Sequence, residues 1–187
     1  MILLSKKIFA AEPVGAAFTA LGSWFMLSLY KASGGELLGI LFGAVNNSAW
    51  EHCKTLLLPY LIWSILELLS FKPQVRHFTV AKTASLYALG LLYLLLKAFG
   101  ASSTPAAAVS IAAAFISSIL LYASPLKLQK LFTPAVVLLF VFFALYFSLT
   151  PFPPRHPLFY DSQSGMYGII PKHYDYGAAA LDTMYGM

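Results

Sequence analysis

Two carboxamides, a hydroxyl, an indole, a carboxylate and an imidazole stand together in Asn46-Asn47-Ser48-Ala49-Trp50-Glu51-His52. An imidazole beside a carboxylate can hold a divalent metal or exchange protons with a substrate. A second polar set lies far along the chain, in Pro153-Pro154-Arg155-His156-Pro157-Leu158-Phe159-Tyr160-Asp161. Combined, the two sets would offer Glu51 and His52 as acid–base residues. Asn46, Asn47, Trp50 and Asp161 would be ligand contacts, and His52, His156 and Asp161 the ligands of a metal. A divalent metal is therefore the cofactor expectation, although no H-E-x-x-H or C-x-x-C spacing accompanies it.

Each residue also has a plainer explanation. Ser48 and Glu51 fit the S-x-x-E capping box, in which the Ser oxygen takes the third helical amide and the Glu returns to the cap amide. A helix that starts at membrane depth must satisfy those first amides. On a helix, Asn47, Glu51 and Thr55 would share one face, with Asn46, Trp50 and Lys54 on the next stripe and Ser48 and His52 on the other side. Such a broad polar turn suits a water-filled cavity better than a cap alone. His156 reads also as an interfacial loop histidine, and Asp161-Ser162-Gln163-Ser164-Gly165 as turn chemistry. Cys53 points about 100° away from His52 on a helix and counts as packing. Glu67, late in the same helix, is either a bundle-internal hydrogen-bond partner or part of a proton or cation path.

The elements that carry these residues are membrane helices. Of the 187 residues, 59% are hydrophobic and 10% charged, whereas soluble domains carry about 25% charged residues. Spans are expected near 14–30, 48–71, 80–99, 105–122 and 134–149, with Pro13 suited to a first-turn position. The apolar run 37–45 is too short to cross and reads as a half-helix. The fourth span is rich in Ala and Ser, which lets helices approach closely in lipid. The expected fold is an all-α, polytopic membrane helix bundle over 1–150, with a non-spanning tail over 151–187. Glu12 and Pro13 interrupt the apolar core that a signal peptide would need, so the first helix reads as retained.

Lys and Arg counts orient the bundle. Lys6, Lys7, Lys72, Arg76, Lys82, Lys127 and Lys130 fall on one side, and Lys31, Lys54, Lys97, Arg155 and Lys172 on the other. This places the N-terminus in the cytoplasm and the tail outside the cell membrane, on the same face as residues 46–52. The formal charge of +5 reports orientation. The basic residues form no stripe, so nucleic acid is not an expected partner. The lipid bilayer is, together with another membrane protein or a second copy of the chain. The single cysteine excludes an internal disulfide.

The segment from Asn46 to Lys54 with Leu57-Leu58-Pro59, followed by the Pro153–Asp161 tail and Tyr167-Gly168-Ile169, resembles a family of small bacterial integral membrane proteins catalogued as a domain of unknown function. The resemblance covers about residues 14–170. It marks Glu51, His52 and Asp161 as family-like positions and implies no activity. Three functions fit the residues. The first is binding or transport of a small or lipid-like ligand at a polar site on the outer face, with the tail as lid. The second is a metal-dependent hydrolase or transferase acting on a lipid-linked substrate. The third is an accessory subunit of a membrane complex.

Overall fold

The computed structural model describes residues 2–170, with side chains from Lys7 onward. The expected non-spanning tail beyond Ile170, with Lys172, lies outside the described residues. Six α-helices carry the fold: α1 (Ile2–Ala32), α2 (Leu37–Phe42), α3 (Ala49–Phe71), α4 (Val75–Ala98), α5 (Ser103–Ala123) and α6 (Phe132–Ser148). All but α2 are long and apolar enough to cross a membrane, α6 together with the 3-10 turn Leu128–Leu131 before it. This is the architecture of a multi-pass membrane protein.

Two boundaries differ from the sequence reading. Pro13 does not open the first helix; α1 runs through it from Ile2. A proline removes one amide bond, and membrane helices tolerate that where neighbours re-satisfy the backbone. The upstream turn then carries Ile8 and Glu12 into buried positions. Helix α4 starts at Val75, five residues before the expected Val80, because neither Arg76 nor His77 breaks a helix and Phe78 is buried.

Glycines and small residues let these helices meet closely. Gly34 and Gly35, both at positive φ, reverse the chain so that α2 folds back on the last turn of α1. A Cβ at Gly43 would lie 2.7 Å from the Tyr30 amide nitrogen, so only glycine permits that approach. A Cβ at Gly22 would lie 2.9 Å from Pro59, and there α1 meets α3. On α5, Ala106, Ser110, Ala114 and Ser118 recur every fourth residue and are all buried. This small-residue face is used inside the bundle, mainly against α4 and α1. Cys53, Leu56, Tyr60, Leu89 and Phe115 form the centre of the core. Helix α6 packs chiefly on α4 and leaves most of its apolar surface exposed.

Candidate functional site

The tail closes over the start of α3. Asn46 Nδ2 donates to Gly168 O at 2.7 Å, and Tyr30 Oη donates to Ile170 O at 2.9 Å. Trp50 stacks on Phe159 with ring centroids 5.6 Å apart. The tail itself is a small hairpin, β1 (Tyr160–Asp161) against β2 (Met166–Tyr167), paired antiparallel. Asp161 is fully buried and builds the turn: its carboxylate accepts from the Gln163 amide at 3.0 Å and from Ser164 Oγ at 2.9 Å. Gly165, at φ +69°, completes the turn. His156 Nδ1 accepts from the Leu158 amide at 3.3 Å on an exposed loop.

Ser48 caps α3 as its pattern predicts, taking the Glu51 amide at 3.4 Å. The Glu51 side chain does not return to the cap amide. That amide is taken by Asn46 Oδ1 at 2.9 Å. Glu51 instead accepts from the Val45 amide at 3.1 Å and from Thr150 Oγ1 at 2.7 Å, and pairs with Lys54 Nζ at 2.8 Å. Lys54 in turn donates to Thr150 Oγ1 at 2.9 Å and to Ile40 O at 3.3 Å. Glu51, Lys54 and Thr150 are all buried. One acid and one base thus cancel, and their hydrogen bonds tie the α2 end, the α3 start and the α6 end together. Glu51 and Lys54 stand on adjacent stripes of the expected face pattern, and adjacent stripes touch at i,i+3 spacing. The two residues lie in the first turns of α3, which begins at Ala49, and meet at i,i+3. The polar turn expected to line water is packed shut: Thr55 is buried against Ser23 at 3.0 Å.

What remains open at this end is Asn47 and His52, joined at 2.6 Å, with Asn47 exposed and His52 half-buried. Among the described residues no three His, Cys, Asp or Glu side chains come close enough together to hold a metal. His52, His156 and Asp161 therefore do not form a set.

A second charged cluster lies nearer the other end of the bundle, and the sequence reading did not assemble it. Lys82 of α4 donates to both oxygens of Glu12 on α1, at 2.8 and 3.0 Å, and pairs with Glu67 of α3. Ser118 of α5 donates to Glu12 Oε1 at 2.8 Å. The rings of Tyr60, Phe78 and Phe115 stand 5.5–5.6 Å from the Lys82 ammonium, within cation–π range. All three charged residues are buried. Glu12 had been read as a break in an apolar run and Lys82 as a basic residue of a cytoplasmic flank. The signal available in the sequence was the flanking: Glu12 stands between Ile8 and Ala16, and Lys82 between Phe78 and Leu86, each one helical turn away.

Lys82 also lines a cleft of about 90 Å³ between α3, α4 and α6. Its walls carry Leu61, Leu86 and Leu139 beside Tyr60, Ser64 and Thr83. The Tyr60 hydroxyl is buried near Ser85 and Ser118 without a well-aligned hydrogen bond.

No curated protein and no solved structure matches this chain. One family model does, over residues 4–169, a range close to that of the resemblance seen in the sequence. With nearly the whole described bundle covered, the chain belongs to DUF6512, a family of unknown function.

Proposed function

We propose that this protein is a membrane-embedded binding protein for a small lipid-like ligand, and that the ligand sits in the α3–α4–α6 cleft. The observation that carries this reading is the cleft's composition: leucine walls beside a buried tyrosine whose hydroxyl makes no well-aligned hydrogen bond. An unsatisfied buried donor is costly, and a ligand oxygen at Tyr60 would relieve it. Lipid tails gain no hydrophobic energy by leaving the bilayer for a protein groove, so the polar contact would supply the selectivity. The cleft of about 90 Å³ is smaller than the roughly 150 Å³ cavity that holds benzene. It suits a stretch of one alkyl chain near a carbonyl or hydroxyl rather than a whole headgroup. The 46–52 segment with the docked tail then acts as a clasp for the bundle, in place of the outer-face binding site that the residues first suggested. Orientation, with the N-terminus cytoplasmic, belongs to the same reading. Lys82 and Lys54 are buried in ion pairs and drop out of the Lys/Arg count, which leaves the direction of the bias unchanged.

The test is quenching of the intrinsic tryptophan fluorescence of the purified full chain by spin-labelled stearate, in parallel with Ser64→Phe, which fills the cleft. Saturable quenching that is lost in Ser64→Phe supports the reading. Equal quenching by both proteins, or only the linear quenching of bulk partition, rejects it.

A further inference from the structure

The Glu12–Lys82–Glu67 triad holds two carboxylates against one ammonium. With all three ionised, a buried site in a membrane bundle would carry one uncompensated negative charge, which a low-dielectric interior tolerates poorly. The two carboxylates are not equivalent. Glu12 is saturated, with both oxygens on Lys82 and one also on Ser118. Glu67 pairs with Lys82 and lies beside the Trp63 side chain, and neither of its oxygens makes an aligned hydrogen bond. It is 1% exposed. A buried carboxyl that shares its only cation with a second carboxylate and has no aligned hydrogen bond on either oxygen is the group that a proton would occupy.

We infer that Glu67 is a reversible proton-binding site. The Glu67 carboxylate takes one proton on an oxygen and becomes a carboxylic acid. Glu12 and Lys82 are then left as a balanced pair, and the triad is neutral. Release of that proton restores the excess charge. The groups that face Glu67 are few. Glu12 comes from α1 and Lys82 from α4, with Trp63 one turn and Tyr60 two turns earlier on α3; Ser118 of α5 is taken up by Glu12, and α6 contributes no charged residue. His77 of α4 is engaged elsewhere, against Leu121 O and the Tyr122 ring. Because Lys82 lines the α3–α4–α6 cleft, the triad borders an opening in the bundle through which a proton can be exchanged. The inference does not depend on a ligand in that cleft.

Infrared difference spectra of the purified full chain, titrated in pH without added ligand, test it directly. The expected result is a carboxylic-acid carbonyl band that titrates as one group per chain and shifts in heavy water. The band is kept in Glu51→Gln and lost in Glu67→Gln. It is also lost in Glu12→Gln, because the remaining Glu67 and Lys82 then neutralise each other. Should Glu67→Gln fail to fold, Glu12→Gln decides the matter. Absence of a titrating band in the unmodified protein overturns the inference, as does survival of the band in either variant. Loss of the band on adding NaCl at constant pH would also overturn it, because the site would then belong to a metal cation.

Discussion

The bundle buries charge twice, and the two clusters differ in whether the charge is cancelled. Around Glu51 and Lys54, one acid meets one base, and Thr150, the Val45 amide and the Ile40 carbonyl take up their remaining hydrogen bonds. Around Lys82, two acids share one base, and Glu67 lacks aligned donors. The first arrangement is what a structural joint needs, because a charge leaves water at acceptable cost only when it is paired and its other lone pairs are satisfied. The second keeps an unmet requirement, and unmet electrostatic requirements inside membranes mark functional positions. The lesson runs against the sequence: the conspicuous polar segment is the joint, and the inconspicuous single charges within spans form the site.

Lys82→Met should be the most damaging change. It leaves two carboxylates facing each other in the interior, and the loss should reach or exceed the upper part of the about 3–5 kcal/mol that follows from breaking a buried pair. Equilibrium unfolding of the purified protein in mixed detergent measures it. If Lys82→Met is no worse than Glu12→Gln, the charge imbalance is not what distinguishes this cluster. Lys54→Met should cost somewhat less, about 3 kcal/mol, because the stranded Glu51 still has Thr150 and the Val45 amide as donors. The double variant Glu51→Gln/Lys54→Met should recover much of that loss, giving a favourable coupling in a double-mutant cycle. Additive losses would mean that the two side chains act separately.

Packing provides a charge-free reference. A Cβ at Gly15 would stand 2.2 Å from Trp63 Nε1 and 2.7 Å from Phe115. Gly15→Ala should therefore cost about 1–3 kcal/mol by overpacking, with no change in the titrating carbonyl band. The smallest effect is expected at the tail clasp. Asn46→Ala loses the bond to Gly168 O and the one to the Ser48 amide, about 1 kcal/mol each. It should expose the 151–170 segment to limited proteolysis several-fold faster while the helical content stays unchanged. A tail that is cut no faster would show that Trp50 on Phe159 and Tyr30 on Ile170 suffice to hold it.

Some of this was legible early because it depends on local chemistry alone. Ser48 is an N-cap because its hydroxyl reaches an amide three residues on. Lys72-Pro73 stops α3 because proline disfavours helical backbone in the residue before it, and Lys72 leaves the right-handed helix for a left-handed C-cap conformation. The turn at Asp161–Gly165 forms from its own side chains. Partners at long range were not legible. Glu51 was assigned to the Ser48 amide, three positions from its own backbone, because one of its actual donors, Thr150, is 99 residues away. His52, His156 and Asp161 looked like a ligand set by residue type, but each makes its closest polar contact within five residues of itself.

The sequence by itself determined that the chain belongs in lipid, how many helices are long enough to cross it, and where the short α2 and the turns fall. Those properties follow from apolar run length, from proline and glycine, and from side chains that reach their own backbone. Only the tertiary structure decided which charges meet. Glu12, Glu67, Lys82 and Ser118 come from four helices spread over more than a hundred residues, and no periodicity within one helix encodes the register of another. Whether a buried charge is cancelled or left over is a property of that register, set when close-packed glycines, alanines and serines bring the helices together.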